Sequence, residues 1–271
     1  MRFVLSLVFL TVGLFTTAVS GQFDREAIHS ARFDRTFSPD LSRLPAGDHS
    51  LSPQFSMSLS DVAISESISP ARFDQANGDL VYLADLGSLA LFDDDRFGSR
   101  KIFWQRYDLQ GEAIGQNVMI AGSSVGNNYV DPKLAVDTLG LIYLFYRDRT
   151  DGLIYGSRYF PDLTVDYSDL LVNDTSQSSF AGPFDFAVYP DGRTVVVWEN
   201  YSAFGSTIES RIINRSGAFV NSPVTVNSDG GSVSHWVPSV SVKPASGFLV
   251  AWEDYRNGNA DVYARIMDGN G

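Results

Sequence analysis

The sequence contains no cysteine, which excludes a disulfide framework, a thiolate metal site and a thiol-linked lipid. Histidine is almost as scarce, with only His29, His49 and His235 in 271 residues. They are scattered, so the chain shows no H-E-x-x-H pair and no convincing catalytic triad. Walker and dinucleotide loops are missing as well. Basic residues are in deficit, 20 Lys and Arg against 32 Asp and Glu, for a net charge of −12. That balance makes nucleic acid and anionic membrane surfaces poor partners. Beyond the first stretch of chain there is no long apolar run, so no later segment suits a bilayer span.

That first stretch has the form of an export signal. Arg2 supplies a short positive start, Phe3 to Leu14 is mostly apolar, and Ala18 and Ser20 suit cleavage near Gly21. Residues 1–20 are read as a signal peptide, with no membrane insertion after cleavage and a secreted, periplasmic or cell-surface destination. A cysteine-free exported chain fits a bacterial source.

What is present is a repeat. Aromatic residues at Phe92, Tyr146, Trp198 and Trp252 are 54, 52 and 54 positions apart. Each is followed at a nearly fixed distance by an arginine: Arg106, Arg158, Arg211, Arg265. Two markers sharing one period signify an array of like supersecondary units. Around each marker aromatic the pattern resolves into strands. An apolar or alternating run precedes it, clearest at Leu134–Val136, Phe186–Val188 and Val240–Val242. A glycine turn follows, then β-branched and aromatic runs such as Thr194–Trp198 and Phe248–Trp252. A polar hairpin comes next, at Asp93–Arg96, Arg147–Arg149, Glu199–Asn200 and Glu253–Gly258. The third strand carries the arginine. A fourth is centred on Val118–Ile120, Leu170–Val172 and Val224–Val226.

Four short antiparallel strands per unit predict an all-β β-propeller of four-stranded blades. A pair of β-sandwich domains would repeat at about twice this period. The expected organisation is an N-terminal extension at 21–57 and propeller repeats at 58–271. The units fall at about 78–124, 125–177, 178–231 and 232–271, with 58–66 as a closing strand around Val62–Ile64. A closed four-blade ring and a fragment of a larger propeller both fit.

The segment Val250–Ile266 resembles a repeat of secreted bacterial proteins, roughly V-V-W-x-D-x-R-x-G-x-x-D-I-Y-A-Q-R followed by an aspartate and glycine turn. Ile102–Gly111 is similar to its second half. Val224–Asn227 and Val172–Asn173 resemble the V-N that precedes the next unit. The resemblance implies an extracellular propeller-like protein, often one module of a longer chain, and implies no catalytic residues.

Recurrence in every unit argues that the arginines are scaffold. The expected partner of each is the marker aromatic, or an aspartate among Asp94, Asp148 and Asp254. Binding residues are sought where the units differ, on the face that gathers the 2–3 hairpins and the inter-blade links, here called the top. Asp94, Arg96, Tyr129, His235, Trp236, Asp254 and Arg256 are the candidates for a carbohydrate or peptide ligand. No cofactor is expected. Calcium at the acidic hairpins, where Glu253, Asp254, Asn257, Asn259 and Asp261 offer oxygens, is the weaker alternative, because the alternation and length of a calcium loop are lacking. Asp229–Trp236 shares letters with the sialidase motif S-x-D-x-G-x-x-W but not its spacing. The expected function is an exported, non-enzymatic binding or adhesion module. The alternatives are a propeller glycoside hydrolase or lyase, and a structural spacer of a larger surface protein.

Overall fold

A computed structural model describes residues 74–121, 127–173, 180–203, 205–229, 233–243 and 247–269. The chain divides into two compact units, Met1–Leu59 and Ser60–Gly271, and every described residue lies in the second. The expected signal peptide, N-terminal extension and closing strand fall outside the described residues.

The described chain folds into fifteen strands with no helix among them. Blade one is β1 (Gln75–Leu83), β2 (Gly87–Asp94), β3 (Lys101–Tyr107) and β4 (Ala113–Ala121). Blade two is β5 (Tyr129–Val136), β6 (Ile142–Asp148), β7 (Leu153–Tyr159) and β8 (Val165–Leu171). Blade three is β9 (Phe180–Val188), β10 (Thr194–Ser202), β11 (Gly205–Ile213) and the short β12 (Val224–Thr225). Blade four has three described strands, β13 (His235–Lys243), β14 (Gly247–Asp254) and β15 (Asp261–Met267). Within each blade the strands pair antiparallel in chain order. This is the all-β propeller arrangement that the repeat predicts.

The second strands of blades one to three are buried on both faces, which explains why they read as continuous apolar runs rather than alternating ones, whereas β14 leaves Leu249 exposed. Successive side chains point to opposite neighbours, so blades two and three each pack on the blade before and the blade after. Leu89, Leu91 and Ile102 of blade one meet Leu134, Ile142, Leu144 and Tyr146 of blade two. Tyr143, Phe145 and Ile154 meet Phe184, Phe186, Val196 and Trp198 of blade three. Val195, Val197, Ile208 and Ile212 meet Phe248, Val250 and Trp252 of blade four. All four marker aromatics are buried, Tyr146, Trp198 and Trp252 in these layers and Phe92 against Phe103 of its own blade.

Hydrogen bonds tie the first strands of successive blades. Leu134 N donates to Asp79 Oδ2 at 2.7 Å, and Val240 N to Asp185 Oδ2 at 3.0 Å. Lys133 Nζ reaches Asp185 Oδ1 at 2.9 Å. Every first strand also carries a bulge near its start, where the register slips by a residue. In three blades the bulged residue, Asn77, Asp131 or Val237, has positive φ.

Candidate functional site at the top of the blades

The top face gathers the start of each first strand and the end of each second. Gln75 pairs with Asp94, Tyr129 with Asp148, Phe180 with Tyr201, and His235 with Asp254.

The hairpin residues anticipated as ligand groups are mostly engaged with one another. Asp94 is fully buried and accepts from Arg96 Nη2 at 2.7 Å, Arg96 Nε at 3.0 Å and Gln75 Nε2 at 2.7 Å. Arg96 lies over the Phe103 ring at 4.6 Å. Blade four repeats the clamp. Asp254 is fully buried and accepts from Arg256 Nη2 at 2.6 Å and Trp252 Nε1 at 2.8 Å, with Arg256 over Tyr263 at 4.1 Å. Burial alone would raise the Asp254 carboxyl. The donors from Arg256 and Trp252 outweigh it and hold the group well below the usual carboxylate range. Tyr129 is a core residue, edge-on to Tyr146 at 5.4 Å. Trp236 is 36% exposed and packs on Tyr255 with ring centroids 4.6 Å apart.

The recurring arginines lie away from the aromatics that define the period. The register sets Arg106, Arg158, Arg211 and Arg265 opposite Leu89, Tyr143, Val196 and Val250. Two of them bond to the preceding blade: Arg211 Nη1 donates to Val172 O, and Arg265 Nη1 to Val226 O, both at 2.7 Å. Arg158 instead donates from Nε to Asp166 at 2.7 Å, and the Nε of Arg106 is buried with no hydrogen-bond partner among the described residues. The V-N segments complete the link. Val172 and Val226 offer their carbonyls, while Asn173 and Asn227 accept from the backbone N–H of Ile154 and Ile208 at 2.8 and 2.9 Å.

His235 is fully buried, with Nδ1 2.5 Å from Ser206 O and Nε2 2.9 Å from Asp229 Oδ2. The donor atoms of Asp229, His235 and Asp254 lie within 4.8 Å of one another, a set that would suit a divalent cation. Arg256 already stands beside both carboxylates, 2.6 Å from Asp254 and 3.8 Å from Asp229. The positive charge these acids require is therefore supplied by the protein. At the blade-four hairpin, Asp261 accepts from Asn257 and Asn259 at 3.0 and 3.2 Å, so amides rather than a converging oxygen shell surround it.

The residue that stands out is one place further along the repeat than the marker. Asp93, Arg147, Glu199 and Glu253 each follow a marker aromatic directly and so point to the opposite blade face. Asp93 is fully buried, and burial raises its carboxyl although Asn77 and Arg100 donate to it. Arg147 Nη2 pairs with Asp131 at 2.6 Å, and its Nη1 donates to Ala181 O in blade three at 3.2 Å.

Glu199 was placed by sequence at a polar hairpin tip. The structure instead continues β10 to Ser202, which leaves Glu199 inside the strand and 1% exposed. Burial pushes its carboxyl up to about 7, against the pull of Tyr201 and of the Val237 N–H and the charges of Arg147 and His235. Its Oε1 is buried with no hydrogen-bond partner. The Tyr201 hydroxyl in turn is pushed up to about 12 by burial and by Glu199. Val237 is strained: a β-branched residue at φ 49° that presents its N–H to Glu199. A Cβ on Gly182 would lie 2.6 Å from Tyr201 Cε2 and 3.4 Å from Glu199 Cβ, so only glycine lets that ring lie here.

Fold and site together define an all-β, blade-repeat protein with a buried, protonatable carboxyl at its top face. No family model and no curated protein matches the chain. Among solved structures it is similar to an endo-arabinase from Bacteroides thetaiotaomicron, at 16% identity over 70% of this chain and 74% of that one, with a TM-score of 0.42. The catalytic domain of a Coprinopsis cinerea GH62 α-L-arabinofuranosidase shows 14% identity over 77% and 69% of the two chains, with a TM-score of 0.43. An exo-β-1,3-galactanase from Clostridium thermocellum shows 9% identity over 71% of this chain and 48% of that one, with a TM-score of 0.43. These values carry no residue role across. The expectation of a non-enzymatic binding or adhesion module is nonetheless corrected. The solved structures this chain resembles carry the names of an arabinase, an arabinofuranosidase and a galactanase, where the expectation called for a binding module.

Proposed function

We propose that the protein is an exported glycoside hydrolase whose proton donor is Glu199. The observation that carries this reading is the buried Glu199 carboxyl, raised to about 7 with one oxygen uncommitted. A general acid works best when its pKa lies near the working pH. Glycoside hydrolysis needs such an acid and a second carboxylate that stays charged. Asp131 takes the second role, at the bulge of β5, one-third exposed and ion-paired with Arg147. Arg147 links the two acids electrostatically, since its charge also acts on Glu199. In the reaction the proton passes from Glu199 to the glycosidic oxygen as the bond to the anomeric carbon breaks, and water, with Asp131 taking its proton, supplies the hydroxyl that replaces the leaving sugar. Tyr201 and the Val237 N–H hold the acid in place by hydrogen bonds. Export is supported by the signal-like N-terminus and by the resemblance of Val250–Ile266 to secreted bacterial repeats.

The test is hydrolysis of a panel of arabinan, xylan, galactan and their chromogenic glycosides. The wild type is expected to cleave at least one member. Glu199→Gln is expected to lose about a hundredfold or more in rate while keeping its circular-dichroism spectrum and a Tm no lower than that of the wild type. A panel with no turnover, or a Glu199→Gln variant within about threefold of wild type, overturns the assignment.

A further inference from the structure

We infer that the Glu199 site takes an uncharged oligosaccharide that spans the acid, with a sugar ring on an aromatic platform to either side of it. The inference rests on Glu199 as the proton donor and adds the class of substrate. Two aromatic pairs, each with an exposed ring, stand at the top of adjacent blades. In blade three, Phe180 at the start of β9 is 37% exposed and Tyr201 is 39% exposed, with ring centroids 6.5 Å apart. In blade four, Trp236 near the start of β13 lies 4.6 Å from Tyr255. Tyr201 and Tyr255 each stand three residues after their marker aromatic, whereas Phe180 and Trp236 come from different positions of their first strands, Trp236 aligning with Gly182.

Glu199 belongs to both. Its carboxylate accepts from Tyr201 of the first platform and from the backbone N–H of Val237, the neighbour of Trp236 in the second. A proton delivered between two platforms reaches a bond between two rings. Aromatic faces suit the C–H faces of sugars, which are apolar while the hydroxyl edges stay wet.

Charge decides the class. The two arginines nearest these platforms are already paired, Arg147 to Asp131 and Arg256 to Asp254, both at 2.6 Å. Asp229 adds a further carboxylate beside Arg256. A uronic acid chain meets paired guanidiniums and carboxylates here, whereas a neutral chain loses nothing to them.

The test is calorimetric titration of full-length Glu199→Gln with arabinohexaose, xylohexaose, β-1,3-galactohexaose, hexagalacturonic acid and the corresponding monosaccharides. At least one neutral hexaose is expected to bind, with its monosaccharide at least tenfold weaker and hexagalacturonate weaker still. Tyr201→Ala and Trp236→Ala, added singly, are each expected to weaken that hexaose about tenfold, with Tyr255→Ala as a second variant on the Trp236 platform. Loss confined to one platform, equal binding of the monosaccharide, preference for hexagalacturonate, or no binding at all overturns the inference. Binding that needs both platforms in a protein whose wild type cleaves nothing upholds the inference and removes the hydrolase reading. Cleavage that tolerates loss of one platform does the reverse.

Discussion

At the scale of the residue, strain and burial meet around one carboxyl. Val237 holds a positive φ that β-branched residues avoid, at a cost of about 1–3 kcal/mol. It is 39% exposed, so its side chain offsets little of that strain by burial. Asparagine tolerates the left-handed region far better. Val237→Asn is therefore expected to raise stability by about 1 kcal/mol, read as an increased urea midpoint at unchanged m. A lower midpoint would show that the Val237 side chain itself contributes packing. Glu199 was hidden in the sequence because Glu-Asn-Tyr-Ser after an apolar run reads as the exit to a turn. Its alternative sign was the ionisable residue directly after each marker aromatic, in phase with the opposite blade face. The clamps at Asp94–Arg96 and Asp254–Arg256 were visible as charged hairpins. Their self-pairing was not, because a ligand-facing and a turn-closing aspartate have the same spacing.

At the scale of the element, the period was legible and its arginine was misread. An apolar run that alternates neither at two nor at 3.6 marks a strand buried on both faces, and the second strands of blades one to three satisfy this. The arginine's partner was sought across the hairpin, where local sequence places it. The bonds formed by Arg211 and Arg265 run instead to a carbonyl 39 residues earlier, in the preceding blade. No periodicity within one unit reports such a bond. Each is charge-assisted, so Arg211→Met and Arg265→Met are each expected to cost about 1.5–3 kcal/mol in a urea titration. A change below about 0.5 kcal/mol in both would remove the arginines from the inter-blade scaffold.

At the scale of the whole molecule, the blades meet through apolar layers, and the polar contacts concentrate where the first strands begin. The sequence showed which residues vary between units and hence which face to search. It did not show the bulges, which slip each first strand by a residue and set Asn77, Asp131 and Val237 beneath the hairpins. Stability should carry the imprint of the buried acid. Glu199 keeps its proton up to about pH 7 when folded and releases it near its ordinary value of 4.5 when unfolded. Unfolding between those values releases a proton, so stability falls as pH rises through that window, by about 3 kcal/mol in all. Asp254 works in the opposite sense: its lowered carboxyl stabilises the fold above the unfolded value and is lost as pH falls below it. The most direct measurement is a carbon-13 NMR titration of the glutamate side-chain carboxyls, with the Glu199 signal assigned by its absence from Glu199→Gln. A midpoint near 7 is predicted. A midpoint near 4.5, the ordinary value, would contradict Glu199 as the acid on which the proposed chemistry depends.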